Sequence, residues 1–161
     1  MTGTDYINRH FLYPGTIFFS RTPYAVDTIL GSCISVCLWD PVSKCGSINH
    51  FMLPVLNKEG ETPFKYGNMA IPELVTRMIA MGSNKKDLRA KIFGGSEFKH
   101  TKGAFSIGRR NQGIARKMLR EEQIPIISFN VGGDLGRKMI FHTDTGEVLI
   151  KFIRIKIPLL D

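Results

Sequence analysis

The sequence predicts an α/β fold, one layered domain over residues 1–161 with a mixed β-sheet and two main helices. Three observations predict it: short runs of strand-favouring residues, two stretches whose apolar positions recur at helical spacing, and turn signals that separate them at short intervals. No repeat, low-complexity tract or long linker interrupts the pattern. With 43% apolar and 22% charged residues among 161, the chain can bury a real core, and this composition excludes a disordered protein.

Each element has a local reason. Residues 1–14 carry no clear pattern and read as an N-terminal extension that packs on the domain. From Ser32 to Leu53 the runs SCISVCLWD and GSINHFMLP are broken by Asp40-Pro41-Val42-Ser43-Lys44, which reads as a β-hairpin. After a polar loop, Ile71, Leu74, Val75, Met78 and Ile79 recur at helical spacing and stop before Gly82, a C-terminal cap. Ala90 to Phe93 form a short buried strand ending at Gly94-Gly95. The second helix, Ile107 to Glu122, puts Ile114, Met118 and Leu119 on one face. Three strand-like runs close the chain, Ile124 to Val131, Lys138 to His142 and Glu147 to Ile155, separated by Gly132-Gly133 and by Asp144-Thr145-Gly146.

Charge narrows the partners. Lys and Arg number 22 against 14 Asp and Glu, and the formal charge of +8 favours an acidic partner. Arg109, Arg110, Arg116, Lys117 and Arg120 line the open face of the second helix, but no stacking aromatics are interleaved with them, so nucleic acid is not the expected ligand. No apolar run is long enough to cross a membrane, and the opening MTGTDYINRHFLYPG lacks the order of a signal peptide. A cytoplasmic protein without membrane insertion is expected. Neither Gly94-Gly95 nor GGDLGR completes a phosphate-binding loop. Phe98, Phe105 and the residues between them form a candidate partner surface.

Cys33, Cys37 and Cys45 are an odd number crowded together, which suggests no disulfide framework. Their spacing with His50 matches no paired zinc pattern, so no metal site is expected. A nucleophilic thiol needs a base within reach, and the hairpin offers His50. If Asp40 faces Ser43 across the turn, Cys33 faces His50, with Cβ atoms about 4.5 to 5.5 Å apart. A different turn would leave them diagonal. Gly31-Ser32 beside the thiol could supply amide donors to an oxyanion, and Ser96 with Gly94 and Gly95 could line the cleft. Cys37, inside an apolar strand, and Cys45, at a turn, read as structural.

These residues resemble a known family. LGSCISVCLWDPVSKCGSINHFMLP is similar to the signature hairpin of CheD, the chemoreceptor glutamine deamidase of chemotaxis, and KYGNMAIPELVTRMIAMGS, AKIFGGSEF, SIGRRNQGIARKML and NVGGDLGRKMIFHTDTGEVLIK resemble its later elements. The resemblance implies a protein-glutamine glutaminase that converts glutamines on the cytoplasmic helices of methyl-accepting chemoreceptors to glutamate, without metal or organic cofactor. It puts the nucleophile on Cys33 and the base on His50. Relatives carry a threonine shortly before the cysteine to orient the histidine, and here Asp27 and Thr28 both qualify. The two point to opposite faces of an extended strand, so one of them should reach the imidazole. The resemblance further implies a monomer that can bind CheC, a phosphatase. The competing reading is a non-catalytic module that docks on chemoreceptors or on CheC.

Overall fold

The computed structural model describes residues 6, 8–58, 62–98 and 106–155. In chain order the elements are β1 (Arg9–Phe11), β2 (Ile17–Ser20), β3 (Ala25–Leu30), β4 (Ile34–Asp40), β5 (Cys45–Asn49), α1 (Gly67–Ala80), β6 (Arg89–Gly94), α2 (Ile107–Glu121), β7 (Ile126–Val131), β8 (Gly136–His142) and β9 (Val148–Ile153). The expected two helices are present, and the strands divide into two mixed sheets where the sequence suggested one. The first runs β1-β3-β8-β9 and the second β2-β5-β4-β6-β7. Among the named strands, β1 pairs in parallel with β3 and β6 with β7, and the other pairs are antiparallel.

Three layers result. α1 and α2 cover one face of the five-stranded sheet around Ile34, Val36, Leu38, Phe51, Ile71, Leu74, Met78 and Leu119. The other face packs on the four-stranded sheet through Leu12, Val26, Leu30, Cys37, Ile48, Phe93, Met139 and Phe141. β4 is therefore buried on both sides, and apolar residues fill both faces of its sequence, ISVCLWD, where a half-exposed strand would alternate. Even-numbered residues of β4 face the helices, and Cys37 faces the four-stranded sheet.

The 40–45 turn differs from the sequence expectation. Asp40 Oδ1 accepts the N–H groups of Val42 (2.9 Å) and Ser43 (3.1 Å), Lys44 takes a left-handed φ of 54°, and Asp40 pairs with Cys45. The loop is thus four residues long, since an aspartate that caps its own turn displaces the tighter one. Opposite Cys33 the register now continues to Met52, and His50 stands diagonal to it. A slip of two residues keeps both side chains on the same face of the sheet; a slip of one would have separated them.

The N-terminal residues are more than an appendage. Arg9–Phe11 pairs in parallel with Ala25–Asp27, Leu12 is fully buried between the sheets, and Tyr6 stacks on His142 at 4.3 Å.

Candidate active site

Cys33 precedes β4 and His50 follows β5, so the open end of one hairpin brings thiol and imidazole to the same end of the five-stranded sheet. Their shared face looks onto β3 of the other sheet. There Val26, Thr28 and Leu30 point inward, while Asp27 and Ile29 point out. Thr28 Oγ1 lies 2.8 Å from His50 Nδ1 and donates to the Leu12 carbonyl at 2.8 Å. That pair of bonds assigns the imidazole tautomer. A hydroxyl has one proton, and a carbonyl can only accept, so the threonine proton goes to Leu12 and its oxygen accepts from Nδ1–H. Nε2 is left with the lone pair, the form a general base needs.

Asp27 lies elsewhere. Its carboxylate takes both contacts from the Arg9 guanidinium, at 3.0 and 3.1 Å, on the outer face of β3. Of the two candidates for the third position, the fold brings Thr28 to His50 and turns Asp27 away.

Burial sets the charge state. His50 is 2% exposed, and desolvation pulls its pKa from 6.5 down to about 4. The half-buried Cys33 thiol is pushed up to about 11, chiefly by desolvation, against which its own backbone N–H pulls weakly. At neutral pH the pair is therefore thiol and neutral imidazole, and the thiolate must form as attack occurs.

The backbone around Cys33 is fixed from β6. Gly95 N–H donates to the Cys33 carbonyl at 2.8 Å, and Ser96 N–H donates to the Gly31 carbonyl at 3.0 Å. Gly94, at φ +103°, has no alternative: a Cβ there would stand 2.2 Å from the Cys33 carbonyl oxygen. Ser96 also donates through Oγ to Leu135 O at 2.6 Å and accepts from the buried Arg137 guanidinium at 2.9 Å. Gly94, Gly95 and Ser96 thus hold the backbone of Cys33 in place. The Ser32 carbonyl accepts from Asn111 Nδ2 at 2.9 Å. The one sequence signal of Asn111 is a polar side chain on the apolar stripe of α2, beside Ile114 and Ala115.

The other thiols diverge. Cys45 belongs to the helix-side core, 3.6 Å from Ser83 Oγ, and Cys37 to the inter-sheet core, so the two cannot share one ion with Cys33. Phe98 packs beside Gly31, where an added Cβ would meet its ring at 3.2 Å; Phe105 lies outside the described residues. On α2, Arg109, Arg110, Lys117 and Arg120 are exposed, while Arg116 lies over the Phe129 ring at 5.0 Å. A cavity of about 400 Å³ between β7 and β9 is lined by Gly132, Gly133, Asp134, Arg137, Phe129 and Phe152 and does not include Cys33. No helix among the described residues is long and apolar enough to cross a membrane.

Comparison with known proteins identifies the family. A family model described as CheD chemotactic sensory transduction matches residues 52–152. A probable chemoreceptor glutamine deamidase CheD from Trichlorobacter lovleyi is 41% identical over 145 residues, 89% of this chain and 90% of that protein. Proteins of the same description from Sulfurimonas denitrificans and Rhodospirillum rubrum are 33% and 40% identical, covering 91% and 89% of this chain and 95% and 82% of their own lengths. The family model begins two residues after His50 and does not itself cover Cys33 or His50. Matched by the family model over most of its length and by these relatives almost end to end, the chain belongs to the CheD family.

Proposed function

We propose that this protein deamidates specific glutamine side chains on the cytoplasmic helices of methyl-accepting chemoreceptors, using Cys33 as nucleophile and His50 as base. The observation that carries the mechanism is the Leu12–Thr28–His50 hydrogen-bond chain, which leaves the imidazole lone pair on Nε2. His50 Nε2 takes the thiol proton as Sγ attacks the carboxamide carbon. The N–H of Cys33 itself, beside that of Ser32, meets the developing oxyanion. The tetrahedral adduct collapses, the proton on Nε2 passes to the amide nitrogen, and ammonia leaves. Water, losing a proton to Nε2, then hydrolyses the thioester; glutamate is released and the thiol regains its proton. Thr28 holds the imidazole tautomer throughout. The chemistry balances without metal or organic cofactor.

A half-buried thiol is open to a side chain presented by another protein. The exposed arginines of α2 supply a cationic approach for an acidic receptor helix. We place the protein in the cytoplasm as a monomer, with CheC as a further partner. Incubation with the cytoplasmic fragment of a chemoreceptor from the same organism should release ammonia in proportion to new glutamates. Stable binding with no ammonia release would instead favour a docking module.

A further inference from the structure

Asn111 is fully buried on α2, yet both donors of its side-chain amide leave the helix: Nδ2 donates to Ser32 O at 2.9 Å and to Met52 O at 3.0 Å. Those carbonyls belong to the residue before Cys33 and the second residue after His50. The hairpin divides at this point. Ile34 and Phe51 exchange two backbone bonds, 3.1 and 3.0 Å, and are the last such pair. In continued register Ser32 and Leu53 would make the next exchange, but Leu53 donates its N–H to Lys65 O (3.1 Å) and accepts Gly67 N–H (2.9 Å). The two strands therefore part at Cys33 and Met52, and the asparagine amide bridges the fork.

The orientation of that amide is not arbitrary. Two carbonyl acceptors demand the NH₂ group, and Oδ1 is left buried without a partner, a cost that an apolar residue would avoid. α2 comes close enough to reach because Gly108 lies against the Ser96 carbonyl, where a Cβ would stand at 2.2 Å.

We propose that Asn111 is a positioning residue of the deamidation site, fixing the separation of the Cys33 and His50 strands where the backbone ladder no longer does. The proposal rests on the deamidase reading for its effect on turnover, and on geometry alone for its effect on the thiol. Asn111→Asp keeps the volume and removes the donors; Asn111→Ala removes the whole amide. Misplacement by about 1 Å costs on the order of 10²-fold, so kcat should fall by about that factor at little-changed KM. Cys37 and Cys45 should stay protected from iodoacetamide, showing the core intact. A second readout needs no glutamine substrate: Cys33 alkylation should slow in Asn111→Ala as in His50→Ala, and the double variant should be no slower than His50→Ala alone. The proposal is overturned if kcat is unchanged in both variants, if activity falls only in step with exposure of Cys37 and Cys45, or if the alkylation effects multiply in the double variant. Failure of the deamidase reading looks different, since the unmodified protein would then convert no glutamine while the alkylation cycle still reported on Asn111.

Discussion

Thr28→Val tests the assignment of the histidine's partner, because valine keeps the branched shape and deletes the hydroxyl. Two buried groups lose their bond at once, His50 Nδ1–H and the Leu12 carbonyl, each now 2.8 Å from Thr28 Oγ1. Leaving each unsatisfied costs about 1–3 kcal/mol, so a clear fall in melting temperature is expected. For turnover, only the part of the bond that strengthens in the transition state counts. The imidazole is neutral at rest and cationic during transfer; hydrogen bonds to charged groups contribute about 1.5–3 kcal/mol against about 0.5–1.5 for neutral ones. The difference of about 1–1.5 kcal/mol corresponds to about tenfold in kcat, rising toward 10²-fold if the ring also rotates. Asp27→Asn is the control. It breaks an ion pair whose arginine side chain is 42% exposed, of a kind that contributes at most about 1 kcal/mol, and kcat should change less than about twofold. Both variants can be read by peptide mass spectrometry of a receptor fragment at saturating substrate. A large kcat loss in Asp27→Asn with none in Thr28→Val would refute the reasoning.

Further outcomes follow from the same geometry. Gly94→Ala must move a Cβ that would sit 2.2 Å from the Cys33 carbonyl, so activity should be abolished and the melting temperature lowered; wild-type kinetics would show that the β6 end is not what holds the nucleophile. The acid limb of kcat/KM should fall near pH 4, where the buried His50 protonates, and a limb near 6.5 would mean an exposed base. The same depressed pKa bears on stability: the unfolded chain binds the proton first, so the contribution is full above pH 6.5 and is lost as pH falls toward 4, on the order of 3 kcal/mol in all. Urea titrations across that range would reveal it, and stability that did not decline would contradict it. Charge reversal at the exposed Arg110 and Arg120 should slow receptor association at low ionic strength and converge with the unaltered protein in high salt; salt-independent kinetics would remove the steering role of α2.

The sequence made the helices legible because each carries a long apolar stripe, and the hairpin because its two runs flank an Asp-Pro turn. The register was not legible, since Asp40 capping its own turn and Lys44 taking a positive φ add two residues to the loop. Strands β1 and β2, of three and four residues, are too short to show a period, and the pairing of β1 with β3 is set by Leu12 burying between two sheets that the sequence did not separate. The candidate site divides the same way. Cys33 and His50 stand out as a thiol and an imidazole near the open ends of one hairpin. Choosing between Asp27 and Thr28 requires knowing which face of β3 meets the second sheet, a tertiary fact. Asn111 acts across the fold on backbone carbonyls, which carry no trace of side-chain identity in the sequence.

On the proposed mechanism Cys33 and His50 together convert receptor glutamines to glutamate. The most direct measurement is a site-by-site map of glutamine-to-glutamate conversion on a receptor cytoplasmic fragment from the same organism, incubated with the protein, with Cys33→Ala and with His50→Ala. Conversion is expected at defined glutamines with the unaltered protein and at none with either variant. Conversion that persists in Cys33→Ala, or a bound receptor left unmodified by the unaltered protein, would contradict it.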